Sequence, residues 1–382
     1  MSDNKLHLAA MLGRFRIFHN GHKSVIDRSL KEAGRVMIGI GSANRSRDAK
    51  GNEFTALETL EMIRRVYPAS SPDGRRISIR LIDDVLYDEQ DLFWIMGVQR
   101  AVLEEIRSMK ASGDVAIGEN ARVGLIGFSK DHTSYYLKKF PQWSSIAAPG
   151  FKHNNKIVSA TDIRNEFFYS ENPGEDAVKR TSHLIPVEVA RYLVQWADKM
   201  QPTLQGLHEE HDFLATYADD HQFRGKIDEA GKPLGIKYAP THTTVDAILI
   251  QSGHVLLIKR KFNPGKGKLA LPGGFVAPWE NIGDATVREL KEETKIGLSL
   301  NVLKLAFRKR HVFYVKTGRG TFNKHVSLYI LNDRDELPFV EAADDAEEGS
   351  AKWYPLGELD PTTMNEDHWH LIMKMIGSLI GE

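Results

Sequence analysis

Two patterns of apolar residues alternate through the first half of the chain. Short apolar runs read as buried strands: Leu6-His7-Leu8-Ala9-Ala10-Met11-Leu12, Arg35-Val36-Met37-Ile38-Gly39-Ile40-Gly41-Ser42, the alternating Ile77-Ser78-Ile79-Arg80-Leu81-Ile82, and Arg122-Val123-Gly124-Leu125-Ile126-Gly127. Between them the spacing turns helical. Val25, Ile26 and Leu30 predict a helix from His22, Leu57, Leu60, Ile63 and Val66 predict one from Thr55 to Tyr67, and a third is expected from about Met96 to Met109. Thr55 with Glu58 three residues on has the form of a capping box. Alternating strands and helices build a parallel sheet with covering helices. Such sheets hold ligands beyond the carboxyl ends of their strands. The polar clusters Gly13 to His22, Ala43 to Gly51 and Asp83 to Asp88 all fall at such ends.

Pro186 to Leu193 reads as the closing helix of this half, and from about Asp198 the pattern weakens. Gln201-Pro202-Thr203 interrupts it, Leu207 to Phe223 has helical spacing of Phe213, Leu214 and Tyr217, and Gly225, Gly231, Pro233 and Gly235 mark a loop. A β pattern then begins with Thr243 to Ile250 and, after Ser252-Gly253, Val255 to Arg260, as in a hairpin. Arg319 to Lys324 reads as a basic loop, Val326 to Leu331 as a strand, and His368 to Ile380 as the last helix. The expected organisation is a domain over 1–197, a linker with a helix over 198–236, and a domain over 237–382.

Composition narrows the function classes. At 382 residues the chain has room for two or three domains, and its formal net charge of zero gives no general attraction to nucleic acid or anionic lipid. It has no cysteine, which excludes disulfides, thiolate metal sites and a cysteine nucleophile. Met1-Ser2-Asp3-Asn4-Lys5 is polar with no apolar segment behind it, so no signal peptide is expected. No apolar run approaches the ~18 residues of a membrane span. A cytoplasmic setting without membrane or nucleic-acid partners is expected, with room for a homo-oligomer.

The first candidate site is Gly13-Arg14-Phe15-Arg16-Ile17-Phe18-His19-Asn20-Gly21-His22, between the first strand and its helix. A helix start offers unpaired N–H groups and the positive end of the macrodipole, which suit a phosphate. His19 and His22 lie three apart, so both rings can face one way, and Gly21 permits close approach. The string resembles the HxGH signature of nucleotidyltransferases and, at greater length, the GRFxPxHxGH of nicotinamide mononucleotide adenylyltransferases. Arg16 and Ile17 stand where that family usually has Gln and Pro. Asn52-Glu53-Phe54-Thr55 resembles its NPFT with Glu53 for Pro, Phe128 to Tyr136 its lysine-aspartate segment with Lys130 and Asp131, and Ile157 to Arg164 its ISxTxIR. Read alone, Ser159 or Thr161 can cap a helix and face an anion, with Arg164 on the first turn. The resemblance implies that His19 and His22 hydrogen-bond ATP phosphates, that Arg164 holds the distal phosphates, that Gly13, Arg14, Phe15, Gly21, Lys130, Asp131, Ser159 and Thr161 help to bind substrate, and that Trp94 stacks on the nicotinamide ring. Read by itself, Trp94 is equally a core tryptophan.

The second candidate site has stronger spacing. Gly274, Glu280, Arg288, Glu289, Leu290, Glu292, Glu293 and Ile296 match the Nudix box, G-x5-E-x7-R-E-U-x-E-E-x-G-U, with Lys295 replacing its last Gly. Glu289, Glu292 and Glu293 fall at i, i+3 and i+4, on one helical face. Hard divalent cations relieve the repulsion of such carboxylates and can bridge a diphosphate. Glu289, Glu292, Glu293 and the backbone of Gly274 are the expected ligands, for magnesium or alternatively manganese, while Arg288 and Glu280 form a structural ion pair. A base for water is sought in Glu347 or Glu348, where a solvated acidic loop is the plainer reading. His208-Glu209-Glu210-His211 lacks the HExxH spacing and reads as a solvated helical face.

The chain thus resembles the bifunctional adenylyltransferase–Nudix proteins of bacteria. That resemblance implies an α/β architecture: a Rossmann-like parallel-sheet nucleotidyltransferase domain followed by an α+β Nudix domain with a mixed sheet. It implies NAD and pyrophosphate made from ATP and nicotinamide mononucleotide, and metal-dependent cleavage of ADP-ribose to AMP and ribose 5-phosphate. The NADH-pyrophosphatase signature SQPWPFPxS is absent, and Arg310-His311-Val312 stands where one group of ADP-ribose hydrolases has a proline. ADP-ribose is favoured by its adjacency to NAD synthesis. The alternatives are a different phosphate acceptor, such as phosphopantetheine, and a Nudix half that only senses NAD metabolites.

Overall fold

The computed structural model describes residues 5–87, 91–113, 121–127, 139–221, 226–227, 233–234, 241–343 and 346–379, with backbone alone at 217–221, 226–227 and 233–234. Lys130 and Asp131 lie outside the described residues, as do Asp344 and Asp345. The chain divides into two compact units, Met1–His208 and Glu209–Glu382. No helix among the described residues is long and apolar enough to cross a membrane.

The first unit is built on five parallel strands: β1 (Leu6–Gly13), β2 (Ala33–Ile40), β3 (Ile77–Leu81), β4 (Val123–Gly127) and β5 (Ser144–Ala147). Their order is β3-β2-β1-β4-β5. The chain leaves β1 toward one edge and then crosses to the other, so the topological switch point lies between β1 and β4, where a ligand crevice opens in sheets of this kind. Strand β1 is buried on both faces. Ala9 and Met11 pack with Val25, Ile26, Ile63 and Leu193, whereas Leu8, Ala10 and Leu12 pack with Val98, Val102 and Met109. A strand covered on both sides reads as a continuous apolar run.

Helix α1 (Asn20–Glu32) follows β1, and the helix Ala56–Val66 starts at the expected capping box, in which Thr55 accepts from the Glu58 N–H and Glu58 from the Thr55 N–H. The helix expected from Met96 instead spans Leu92–Ser112. Its first turn leaves Leu92, Phe93 and Met96 exposed, so apolar spacing gives no inward stripe there. Pro202 sits in the first turn of Gln201–His221, where its missing N–H costs nothing, so it starts a helix after Val187–Lys199 ends.

The second unit has a mixed seven-stranded sheet. Thr241–Gln251 runs parallel to Gly320–Ile330, and the remaining pairings are antiparallel. The hairpin turns at Ser252-Gly253. The basic segment from Arg319 is not a loop: from Gly320 it belongs to a central strand, which buries Phe322, Lys324 and Val326 on one face. The box carboxylates ride on the helix Ile282–Thr294, capped by Asn281, and the last helix is His368–Gly377. The expected solvated face at His208–His211 is also corrected. His208 Nδ1 lies 2.9 Å from the Phe168 carbonyl, and buried Glu210 accepts the Gly265 N–H.

Candidate active sites

The β1–α1 junction is a capping box made of two histidines. His19 is the N-cap residue, and its Nδ1 accepts the Gly21 N–H at 3.0 Å. His22 returns the contact, its Nδ1 accepting the His19 N–H at 3.4 Å. The rings stack with centroids 3.7 Å apart, and Phe15 meets His22 edge-on at 5.0 Å. A neutral imidazole whose Nδ1 accepts carries its proton on Nε2. Burial, with the neighbouring His19 ring and Arg164 guanidinium, holds the His22 pKa well below the ordinary value. His22 is therefore a neutral Nε2–H donor. Gly21 admits the His19 ring itself, since a Cβ there would lie 2.7 Å from His19 Cε1.

Two cavities open at the carboxyl end of β1 and share Leu12. One, of about 210 Å³, is lined by His19, Gly21, His22, Gly127, Ser159 and Ala160 among others, and lies at the switch point. Ser159, not Thr161, caps the helix Ala160–Tyr169, accepting the Thr161 N–H at 3.2 Å. Two helix starts thus meet at this cavity. The other, of about 360 Å³, is lined by Gly13, Arg14, Ser42, Asp84, Asp91 and Trp94 among others. Trp94 is half-buried, packing its ring 5.9 Å from Phe140 as well as lining this space.

Arg164 is buried and already engaged. Nη1 donates to the Arg16 carbonyl, Nη2 to Thr161 Oγ1 at 3.3 Å, and Nε lies 3.0 Å from Glu53 Oε2. Arg16 is buried too, donating to Asn52 Oδ1 and, at 2.9 Å, to the Ser42 carbonyl. Burial and neighbouring Arg14 push its pKa down to about 10 against Asp48, Asp84 and Glu53. Asp84 belongs to the polar cluster expected at a strand end, but its pairing with Asn44, whose side chain meets its N–H and carbonyl at 2.8 and 2.9 Å, was not foreseen. Nothing in the spacing joins these two residues.

In the second unit, Arg288 gathers the carboxylates. It grips Glu280 through Nε at 2.6 Å and Nη2 at 2.9 Å, and its Nη1 reaches both Glu289 Oε1 and Glu292 Oε2 at 2.8 Å. Glu293 is buried and accepts the Gly273 N–H at 2.8 Å. A Cβ on Gly274 would lie 2.5 Å from Glu289 Oε1, so a side chain there would push that carboxylate aside. Glu289, Glu292, Glu293 and Gly274 are thus brought to one helix face and the strand beside it, but not gathered round one point. Among the described residues no group of three His, Asp or Glu stands ready to hold a metal. The donors still fit a hard divalent cation: they are carboxylate oxygens, and a guanidinium supplies the positive charge between two of them. Lys295 closes the helix in the left-handed conformation (φ 46°, ψ 26°), doing what the box glycine would do. Glu347 and Glu348 are exposed.

Behind Gly273 lies a charged group that the motifs did not indicate. Asp246 is buried, and Lys324 reaches Asp367 at 2.8 Å. Burial raises the Asp246 pKa to about 6 despite Lys324. The strand alternation of Phe322, Lys324 and Val326 is the signal that places this lysine inside.

A parallel sheet with a histidine-capped crevice, followed by a mixed sheet carrying a carboxylate helix, defines a nucleotidyltransferase joined to a Nudix hydrolase. Residues 10–166 match the cytidylyltransferase-like family model and residues 240–375 that of the NUDIX domain. The nicotinamide/nicotinic acid mononucleotide adenylyltransferase of Acinetobacter baylyi is 33% identical over 164 residues, 43% of this chain and 77% of that protein. The ADP-ribose pyrophosphatase of Methanocaldococcus jannaschii is 53% identical over 57 residues, 15% of this chain and 34% of that protein. A crystal structure from Francisella tularensis, of a bifunctional NMN adenylyltransferase/ADP ribose pyrophosphatase with AMP and a manganese ion, is 27% identical. It superposes with a TM-score of 0.78 over 98% of this chain and 99% of that one. The chain belongs to the bifunctional nicotinamide mononucleotide adenylyltransferase/ADP-ribose pyrophosphatase family.

Proposed function

We propose that the first unit transfers the adenylyl group of ATP to nicotinamide mononucleotide, and that the second hydrolyses ADP-ribose, each at its own site. A phosphate oxygen of the mononucleotide attacks the α-phosphorus, the bond to the β-phosphate oxygen breaks, and pyrophosphate leaves with the electron pair. The nucleophile is already ionised, so the protein has to align two anions and offset charge on the α-phosphoryl group. His19 and His22 donate from Nε2 to phosphate oxygens at the start of α1, Arg164 takes the distal phosphates, and Ser159 and Thr161 bring a second helix start to them. Gly13, Arg14 and Trp94 hold the mononucleotide in the neighbouring cavity, with the ring of Trp94 against nicotinamide. The shared wall at Leu12 supports this division.

In the second unit Glu289, Glu292 and Glu293 would hold magnesium or manganese, with Arg288 giving up Glu289 and Glu292 while keeping Glu280. A bound divalent cation supplies charge neutralisation and acidifies water. The manganese in the Francisella neighbour supports dependence on a divalent metal. Hydrolysis places the oxygen of water on phosphorus, releasing AMP and ribose 5-phosphate. The histidine capping box at the switch point is the observation that carries the reading. Product analysis with ATP plus nicotinamide mononucleotide, and separately with ADP-ribose, tests it on the wild type, His19→Ala and Glu292→Gln. Each substitution should silence one reaction and spare the other. Loss of both reactions in either variant, or of neither, contradicts the assignment.

A further inference from the structure

Two departures from the adenylyltransferase motif lie at one arginine, one meeting it through its side chain and the other through its backbone carbonyl alone. Arg16 stands in place of Gln and Glu53 in place of Pro, and both are buried, at 1% and 2% exposure. The Arg16 carbonyl accepts from Arg164 Nη1, and Glu53 Oε2 forms an ion pair with Arg164 Nε at 3.0 Å. The other Glu53 oxygen accepts the Gly51 N–H and the Tyr169 hydroxyl, each at 3.1 Å, so the carboxylate is fixed from two sides. A proline at this position could make none of these contacts. Burying an uncompensated carboxylate is strongly unfavourable. Here the compensation comes from the arginine of the ISxTxIR motif, with Arg16 adding to the positive field.

Arginine has five N–H donors in a rigid fork. Glu53, the Arg16 carbonyl and Thr161 face one each, leaving two on the Nη atoms for a polyanion. The Glu53 contact is an ion pair at Nε, the nitrogen nearest the stem, and its angle is not that of a hydrogen bond, so it anchors the guanidinium by charge without covering the end of the fork.

We propose that Glu53 is a positioning residue for adenylyl transfer, holding the Arg164 guanidinium in place to receive the triphosphate of ATP. This rests on the reading of Arg164 as a phosphate clamp. Without the carboxylate, Arg164 must be ordered by the nucleotide itself, in a field that also contains Arg14 and Arg16. The consequence should appear in ATP binding and not in mononucleotide binding. Misplacing a group that orients substrate commonly costs tenfold or more.

Steady-state kinetics of the full chain test this with E53Q, E53D, R164A and the double variant E53Q/R164A. E53Q should raise the KM for ATP about tenfold while leaving that for nicotinamide mononucleotide within about twofold. E53D should recover part of the loss, and E53Q should add nothing in the R164A background. Glu53 is overturned as a positioning residue if R164A is impaired while E53Q matches wild type. It is equally overturned if E53Q multiplies the R164A defect by its full factor, or raises both KM values together. If R164A itself leaves the KM for ATP unchanged, the clamp reading fails and the proposal falls with it. Should E53Q not fold, E53D alone decides: an ATP-specific rise in KM supports the proposal and wild-type kinetics contradict it.

Discussion

The two sites differ in how much of their geometry exists before a ligand arrives. In the first unit, backbone N–H groups hold both imidazoles through Nδ1, and Gly21 gives the His19 ring its place. These contacts orient donors, and the helix starts add to them, so the site needs little rearrangement to meet a polyphosphate. In the second unit the carboxylates are held by an internal cation and a backbone amide, and under the proposed metal site Arg288 has to release two of them first. Neutral donors can be arranged permanently because they do not repel one another. Clustered carboxylates cannot, and so keep a counterion.

The strongest way to break this comparison is to remove one member of each site. His19→Ala should lower adenylyl transfer by about 10²–10³, the usual cost of one preorganised donor to a developing anion. Glu292→Gln should lower ADP-ribose cleavage to a similar degree, and rates measured side by side check both. Gly21→Ala should be next. Its Cβ must displace the His19 ring, with an expected loss of about 10²-fold in kcat/KM. Alanine favours the helix by ~1 kcal/mol and the lost cap costs about as much, so the melting temperature should barely change. A large fall in stability would show that Gly21 serves folding, not placement of His19.

Acid sharpens the contrast. The folded chain keeps His22 neutral below the ordinary histidine pKa, whereas the unfolded chain binds a proton there. Stability from this group is present above about pH 6.5 and is lost as pH falls below it, at up to about 1.4 kcal/mol per pH unit. Denaturant melts from pH 7 to 5 should show wild type losing more stability than His22→Gln. The smallest effect concerns Lys295. Left-handed backbone costs a non-glycine residue ~1 kcal/mol, and the exposed ion pair with Glu341 returns little of it. Lys295→Gly should therefore stabilise the second unit by ~1 kcal/mol in chemical denaturation.

What the sequence revealed follows the range of the forces involved. Four of the five parallel strands were legible, β1, β2 and β4 as continuous apolar runs buried on both faces and β3 as an alternation, whereas β5 is mostly exposed and was not read. The histidine pair and the carboxylate helix were legible because each motif works within one helical turn. Contacts between distant segments were not. Glu53 and Arg164 have no sequence spacing to announce them, and Arg288 looked like a partner of Glu280 alone. Lys324 was misplaced in a loop because a run with Arg319 and Lys324 looks solvated, although its alternation with Phe322 and Val326 points inward. The start of the helix Leu92–Ser112 was missed because its first apolar residues face outward.

The most direct test of the contrast is a crystal structure of the full chain with manganese and no nucleotide. The ion is expected on Glu289, Glu292 and Glu293, with Arg288 parted from Glu289 and Glu292 but still on Glu280, and the His19–His22 capping box unchanged. Manganese bound elsewhere with Arg288 still bridging those glutamates, or histidines that rearrange when the metal binds, would contradict that expectation.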